Sequence, residues 1–210
     1  MTAQCQLVLA THNPGKLREL RALLPPTIKT IPAAALGITP PEETGTTFLE
    51  NALLKARVVS QAAGLPALAD DSGLEVDALG GAPGVSSAYF AHRQATDAEN
   101  VAKLLAALRD VPPEQRRARF RAVVVVAFPN GHFLAGEGTL EGYITTAPRG
   151  THGFGYDPVF CPLQETRTLA EMSPEEKNRL SHRAQAVRNL LTALQRYCQA
   201  TTGSAVEEQG

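Results

Sequence analysis

The chain lacks the net charge that would recruit a charged partner. Its 20 Lys and Arg stand against 21 Asp and Glu, a formal charge of −1. That balance supplies no overall basic field, so no nucleic-acid partner is expected. Long apolar runs are missing too. No stretch reaches the roughly 18 apolar residues of a membrane-spanning helix, so no membrane partner is expected. The N-terminal "MTAQCQLVLATHN" has neither the charged n-region nor the apolar h-region of a signal peptide, which points to a cytoplasmic protein. Cysteine is scarce: Cys5, Cys161 and Cys198 are odd in number and far apart. They read as reduced, mostly structural thiols rather than a disulfide or zinc framework. No repeat or long linker divides the 210 residues, which suffice for a real core in one large domain or two small lobes. Residues 1–200 read as a single domain, with the choice between one large core and two lobes left open by composition alone. The polar "TTGSAVEEQG" at 201–210 lacks an apolar stripe and reads as a frayed, flexible tail.

What is present alternates between strand and helix. "CQLVLA" (Cys5 to Ala10) reads as a short buried strand, and "PGKLRELRALL" as a helix closed by Pro25-Pro26. A loop rich in Pro and Thr follows. Thr47 and Glu50 form a capping box for a helix running to Gly64, with Phe48, Ala52, Leu53, Ala56 and Val59 as its apolar stripe. "PALAD" is the next strand, "GGAPG" a loop, and Thr96 with Glu99 opens a helix through Leu108. "ARFRAVVVVAFPNGHFLAGEGTLEGYI" is β-rich, with Asn130-Gly131 as the hairpin turn. A loop containing "GTHGFGYDPVF" leads to C-terminal helices. The fold class is therefore α/β with a mixed sheet.

Three stretches carry chemistry. In "THNPGK", Thr11 to Lys16, Asn13 suits an N-cap and Pro14 the first helical position. Gly15 admits close approach to the backbone, and amides at a helix start attract anions. Lys16 in the first turn opposes the helix dipole unless an anion is there. A capped helix with an exposed lysine explains the same residues.

"LPALADDSGLEV" ends an apolar run on Asp70 and Asp71. Adjacent strand residues point to opposite faces, so only one of the two serves a given pocket unless the strand has ended. One aspartate is well explained as a turn or cap residue. Glu42 and Glu43 add acids on another loop. Carboxylates without His or Cys neighbours suit a hard cation such as Mg²⁺. An acidic cluster with a lysine-bearing phosphate loop points to phosphate-ester or phosphoanhydride chemistry.

In "GTHGFGYDP", Phe154 or Tyr156 offers a ring to stack on a flat ligand, and Asp157 an acceptor for a ring N–H; a turn with its aromatics packed inward is the alternative. In "MSPEEKNRLSHR", Ser173, Pro174 and Glu176 mark a helix start. Periodicity alone favours one long helix, which scatters Lys177, His182 and Arg183 around its surface. Their convergence on one ligand requires a break, and Ser181 offers a second N-cap. We therefore read a short helix from about 174 to 180 and a longer one starting near His182.

Together, "ATHNPGKLREL", "EETGTTFLENALLKAR", "LADDSGLEVDALGGAPGVSSAYFA", "GTHGFGYDPVF" and "SPEEKNRLSHRAQA" resemble, in order and spacing, the inosine triphosphate pyrophosphatase family over roughly residues 6 to 196. These house-cleaning enzymes act on non-canonical purine nucleoside triphosphates. The resemblance implies an α/β/α fold with a long twisted mixed sheet, two lobes and a central cleft. It also implies Mg²⁺ dependence, a homodimer and a purine nucleotide substrate. By that resemblance Thr11, His12, Asn13, Pro14, Gly15 and Lys16 line the phosphates, and Lys55 contacts phosphate. Glu42 and Asp71 serve the metal, Asp71 being also the candidate base. Ser72 touches substrate. Phe154, Gly155, Tyr156, Asp157, Lys177, His182 and Arg183 bind the nucleotide, largely at its base. A Maf-like pyrophosphatase of other specificity and a non-catalytic nucleotide-binding module are the alternatives.

Overall fold

A computed structural model describes the backbone of residues 5–207 and the side chains of 5–200. Its six strands stand in the order β2-β1-β3-β4-β5-β6, a mixed sheet. Strand β1 (Cys5–Leu9) is the expected apolar run. Helix α1 (Pro14–Leu23) starts at Asn13, whose side chain accepts from the Lys16 N–H, with Pro14 in the first turn. Strand β2 (Ile28–Pro32) pairs in parallel with β1 from Cys5↔Ile28 to Leu9↔Pro32. It corrects the reading of this stretch as loop. The strand is short, lies at the sheet edge, and ends on a proline that an edge tolerates. Helix α2 (Phe48–Ala63) has the expected capping box at Thr47 and Glu50, and it ends at Gly64 in the left-handed conformation.

Strand β3 (Ala67–Val76) extends well past "PALAD", so Asp70 and Asp71 both lie inside a strand. Helix α3 (Asp97–Ala107) opens on the Thr96/Glu99 box. Strands β4 (Arg117–Ala127) and β5 (Phe133–Ile144) flank the Asn130-Gly131 turn, where the Gly131 N–H donates to Phe128 O at 2.9 Å. Strand β6 (Phe160–Pro162) pairs antiparallel with β5. It corrects the loop reading of this stretch in the same way, being a short edge strand that ends on proline.

The chain divides into two compact units. One takes the chain up to Asp71, Val123–Glu137 and the chain from Gln185; the other takes Ser72–Ala122 and Gly138–Ala184. In the first, Leu7, Val8, Leu9, Leu20, Ala56, Val59, Leu68, Val124 and Leu194 are fully buried. There β5 approaches the C-terminal helix so closely that a Cβ at Gly136 would collide with the Ala186 carbonyl. The second unit has its own core of Leu74, Val76, Leu104, Phe120, Ile144, Phe160, Leu169 and Met172.

Cys5 and Cys198 form a disulfide with Cα atoms 5.4 Å apart, and Cys161 is free and buried. The reading of all three as reduced thiols is therefore corrected. A sequence separation of 193 residues carries no information about distance when both ends belong to one unit. Among the described residues, no helix is long and apolar enough to cross a membrane.

The C-terminal break is present. Helix α4 (Pro174–Leu180) has the Ser173/Glu176 capping box, and Ser181 leaves the helical region at φ −63°, ψ 154°. Helix α5 (His182–Glu207) follows directly. The Ser181 hydroxyl accepts from the Ala184 N–H at 3.2 Å, an N-cap contact at a fully buried residue. The expected tail at 201–210 falls on residues whose side chains lie outside the described set. Ser181→Ala should cost about 1 kcal/mol of folding free energy, the usual loss for a capping serine, as read by urea denaturation.

Candidate active site

The first unit gathers Lys16, Glu43, Lys55, Asp70 and Asp71. Thr11 Oγ1 accepts from the Asn13 N–H at 3.1 Å, and Asn13 Oδ1 from the Lys16 N–H at 3.0 Å. These two bonds shape the turn into α1 and leave His12 and Pro14 exposed, with Gly15 buried. Lys16 reaches Asp70, with Nζ 3.4 Å from a carboxylate oxygen of a residue that is 0% exposed. Lys55, also buried, donates to the Asp70 carbonyl at 2.8 Å and pairs with Glu43. Glu42 is exposed.

Asp71 is the neighbour of Asp70 on β3 and is likewise buried. Its Oδ2 accepts from Asn51 Nδ2 at 3.0 Å. Asn51 Oδ1 in turn accepts from the Gly45 N–H at 2.7 Å, where a Cβ would clash with Asn51 Oδ1 itself. Burial raises the Asp71 carboxyl above its ordinary value, and Lys16 and Lys55 offset only part of that effect. Among the described residues, no group of three or more His, Cys, Asp or Glu is arranged to hold a metal ion. Mg²⁺ bound with a phosphate substrate commonly uses one or two carboxylates. Asp71 is a hard oxygen donor of that kind, and a cation there would relieve its desolvated charge.

The second unit gathers the candidate base-binding residues. Tyr156 is buried, its hydroxyl donates to Ser87 O at 2.8 Å, and burial drives its pKa upward. Asp157, 2% exposed, accepts from the Phe154 N–H at 2.9 Å and pairs with Lys177 Nζ at 2.5 Å. Asp157 therefore braces Lys177 rather than standing as a simple open acceptor. Gly155 is left-handed at φ +61°. Lys177 Nζ lies 4.7 Å and the Arg183 guanidinium 5.7 Å from the centroid of the Phe154 ring. Arg183, 1% exposed, donates to Ser72 Oγ at 2.8 Å. His182 stacks on Phe120, with centroids 4.7 Å apart and planes at 11°. The break at Ser181 thus lets Lys177 and Arg183 share one aromatic ring, which one continuous helix would not.

Residues 7–193 match the Ham1 family. The chain belongs to that family. It is 56% identical over 191 residues to the dITP/XTP pyrophosphatase of Thermus thermophilus, covering 90% of this chain and 91% of that protein. It is 50% identical over 192 residues to the dITP/XTP pyrophosphatase of Shigella flexneri, covering 90% and 98%. Among solved structures, a HAM1 protein from Coxiella burnetii aligns with TM-score 0.83 and 45% identity, over 92% of this chain and all of that one.

Within this Ham1-family chain, sequence reasoning missed Asn51 and undervalued Glu43. A signal for Asn51 exists. Asn51 and Lys55, four residues apart, interrupt the buried stripe Phe48, Ala52, Ala56 and Val59 of α2. Polar residues inside an apolar stripe need a buried partner.

Asp71 also links site and stability. A carboxyl whose folded pKa lies above its unfolded one favours the protonated form in the native state. Stability therefore falls as pH rises from the unfolded toward the folded value, and the penalty persists at neutral pH. Asp71→Asn removes the charge and keeps an oxygen for Asn51. Its Tm at neutral pH, measured without added metal, should match or exceed that of the wild type, and a clear drop would contradict the burial argument.

Proposed function

We propose that this chain hydrolyses non-canonical purine nucleoside triphosphates, such as ITP, dITP and XTP, to the monophosphate and pyrophosphate. The observation that carries the reading is the set on β3: a buried Asp71 with a raised pKa, beside an Asp70 that collects both Lys16 and Lys55. Ammonium groups suit a polyanion, and a desolvated carboxylate suits proton acceptance from water. The family relationship to proteins named dITP/XTP pyrophosphatase supports the substrate class.

The phosphates are assigned to Thr11–Lys16 and Lys55. Lys16 and the amides opening α1 stabilise the charge that builds on the leaving pyrophosphate. Asp71 takes the proton of the attacking water. Mg²⁺, held by Asp71 and Glu42, would neutralise the triphosphate and polarise the attacked phosphorus. The purine is assigned to Phe154–Asp157, with Ser72, Lys177, His182 and Arg183. Hypoxanthine and xanthine carry a 6-oxo acceptor where adenine carries an amino donor. Arg183 and Lys177 offer only donors, so a 6-oxo purine gives them an acceptor while adenine sets donor against donor. A homodimer and a cytoplasmic setting, implied by the family resemblance, complete the reading.

The test is pyrophosphate release from ITP, XTP, GTP and ATP with and without Mg²⁺. Turnover of ITP and XTP well above ATP, and only with the metal, is expected. A preference for pyrimidine or modified nucleotides would favour a Maf-like activity, and binding without turnover a non-catalytic module. Asp71→Asn should lower kcat by at least about 100-fold, the scale of a lost general base. Arg183→Ala should erode the discrimination of ITP from ATP by about 1–3 kcal/mol in kcat/KM, the cost of an unpaired buried polar group.

A further inference from the structure

Helix α3 contributes a residue that its capping box does not explain. Thr96 and Glu99 already satisfy the start of α3 reciprocally. Asp97, the first helical residue, instead sends its carboxylate to the segment 153–157. Its Oδ2 accepts from the Gly155 N–H at 2.7 Å, a contact spanning 58 residues of sequence. Gly155 directly follows Phe154, the ring that Lys177 and Arg183 overlie.

Within the segment the Asp157 N–H donates to Phe154 O at 3.2 Å, which leaves the Gly155 N–H to be held from outside. Gly153 and Gly155 both take positive φ, +77° and +61°, conformations for which glycine has no steric preference of its own. A Cβ at Gly153 would strike the Asp157 carboxylate, so the backbone there passes directly over that side chain. Asp157 secures the amide of Phe154 itself, and the Tyr156 hydroxyl secures the far side on Ser87 O. The amide between Phe154 and Tyr156 is the one Asp97 takes. Two successive peptide N–H groups, those of Phe154 and Gly155, thus end on two carboxylates from different elements. Charge-assisted bonds of this kind are stronger and more directional than neutral ones. With Asp97 in place, the backbone on both sides of the Phe154 Cα is fixed.

We propose that Asp97 is a positioning residue for purine recognition: it fixes the Gly155 peptide and thereby the Phe154 ring against which the base stacks. The inference rests on the reading of Phe154 as the base platform. Asp97 touches neither phosphate nor base in this account and takes no part in bond breaking. Its removal should therefore affect substrate binding and leave the chemical step intact.

The experiment compares steady-state kinetics with ITP and Mg²⁺ for Asp97→Ala, Asp97→Asn, Phe154→Ala and the wild type, with Tm measured for each. Asp97→Ala should raise KM about threefold to tenfold, the scale of one net hydrogen bond, with kcat within about twofold of the wild type. Asp97→Asn keeps an acceptor oxygen while losing the charge, and it should recover part of the lost KM, to a value between those of the wild type and Asp97→Ala. That rescue separates the hydrogen bond from the favourable effect of an acid in the first turn of α3. A raised KM in Phe154→Ala with an unchanged KM in Asp97→Ala would overturn the tether and leave the stacking reading standing. An unchanged KM in Phe154→Ala would overturn both. Equal losses in Asp97→Ala and Asp97→Asn, or a fall in kcat that tracks Tm, would make Asp97 a helix-stabilising acid and overturn the inference.

Discussion

Asp70 and Asp71 sit side by side on β3, both shielded from water, and a carboxylate so placed is strongly disfavoured unless its surroundings compensate. The neighbouring elements of the first unit supply two different compensations. Asp70 receives full charges: Lys16 approaches its carboxylate and Lys55 its carbonyl. Asp71 receives the amide of Asn51, and Lys16 and Lys55 offset part of its burial. A strand sends successive side chains to opposite faces, so the two carboxylates meet different neighbours. The unequal treatment decides the chemistry available. Asp70 is committed to holding a lysine, while Asp71 keeps a carboxyl that burial leaves reluctant to ionise.

The lysines are placed by the same constraint. Lys16 lies in the first turn of α1, where the helix dipole disfavours a cation. Asp70 offsets that penalty in the protein itself. Lys55 lies on the buried face of α2 and is tolerable there because Glu43 and the Asp70 carbonyl answer it. Turn, helix and strand are thereby cross-linked by charge in the folded protein itself, ahead of the phosphate that the proposed reading places there. Such a site loses little freedom on binding.

How far the sequence discloses this depends on the kind of signal. The capping boxes at Thr47, Thr96 and Ser173 are all present, because each needs only contacts within four residues. The two missed strands, β2 and β6, are the edges of the sheet. Each is short and ends on proline, so the apolar alternation that marks a strand has no length in which to develop. The break at Ser181 was legible only because three polar residues had to converge; the apolar stripe continues through it. The Cys5–Cys198 bond and the Asp97–Gly155 contact were not legible. Nothing local distinguishes residues that meet only after the chain has folded. Asn51 lies between these cases, visible as a polar residue in a buried stripe but without a named partner until Asp71 is placed.

The residues of the second unit obey a related rule with the sign reversed. Lys177 and Arg183 bring two cations to the one ring of Phe154, and both are almost fully buried. A pair of buried like charges is unfavourable by itself. Asp157 answers Lys177 with a carboxylate, whereas Arg183 is answered by the neutral hydroxyl of Ser72. Both cations are thus held at the ring by side chains of the same unit. On the proposed reading, a 6-oxo purine offers these donors an acceptor, whereas an adenine amino group offers them a competing donor. Selectivity then comes from matching donors to acceptors, with Asp157 and Ser72 holding Lys177 and Arg183 in place.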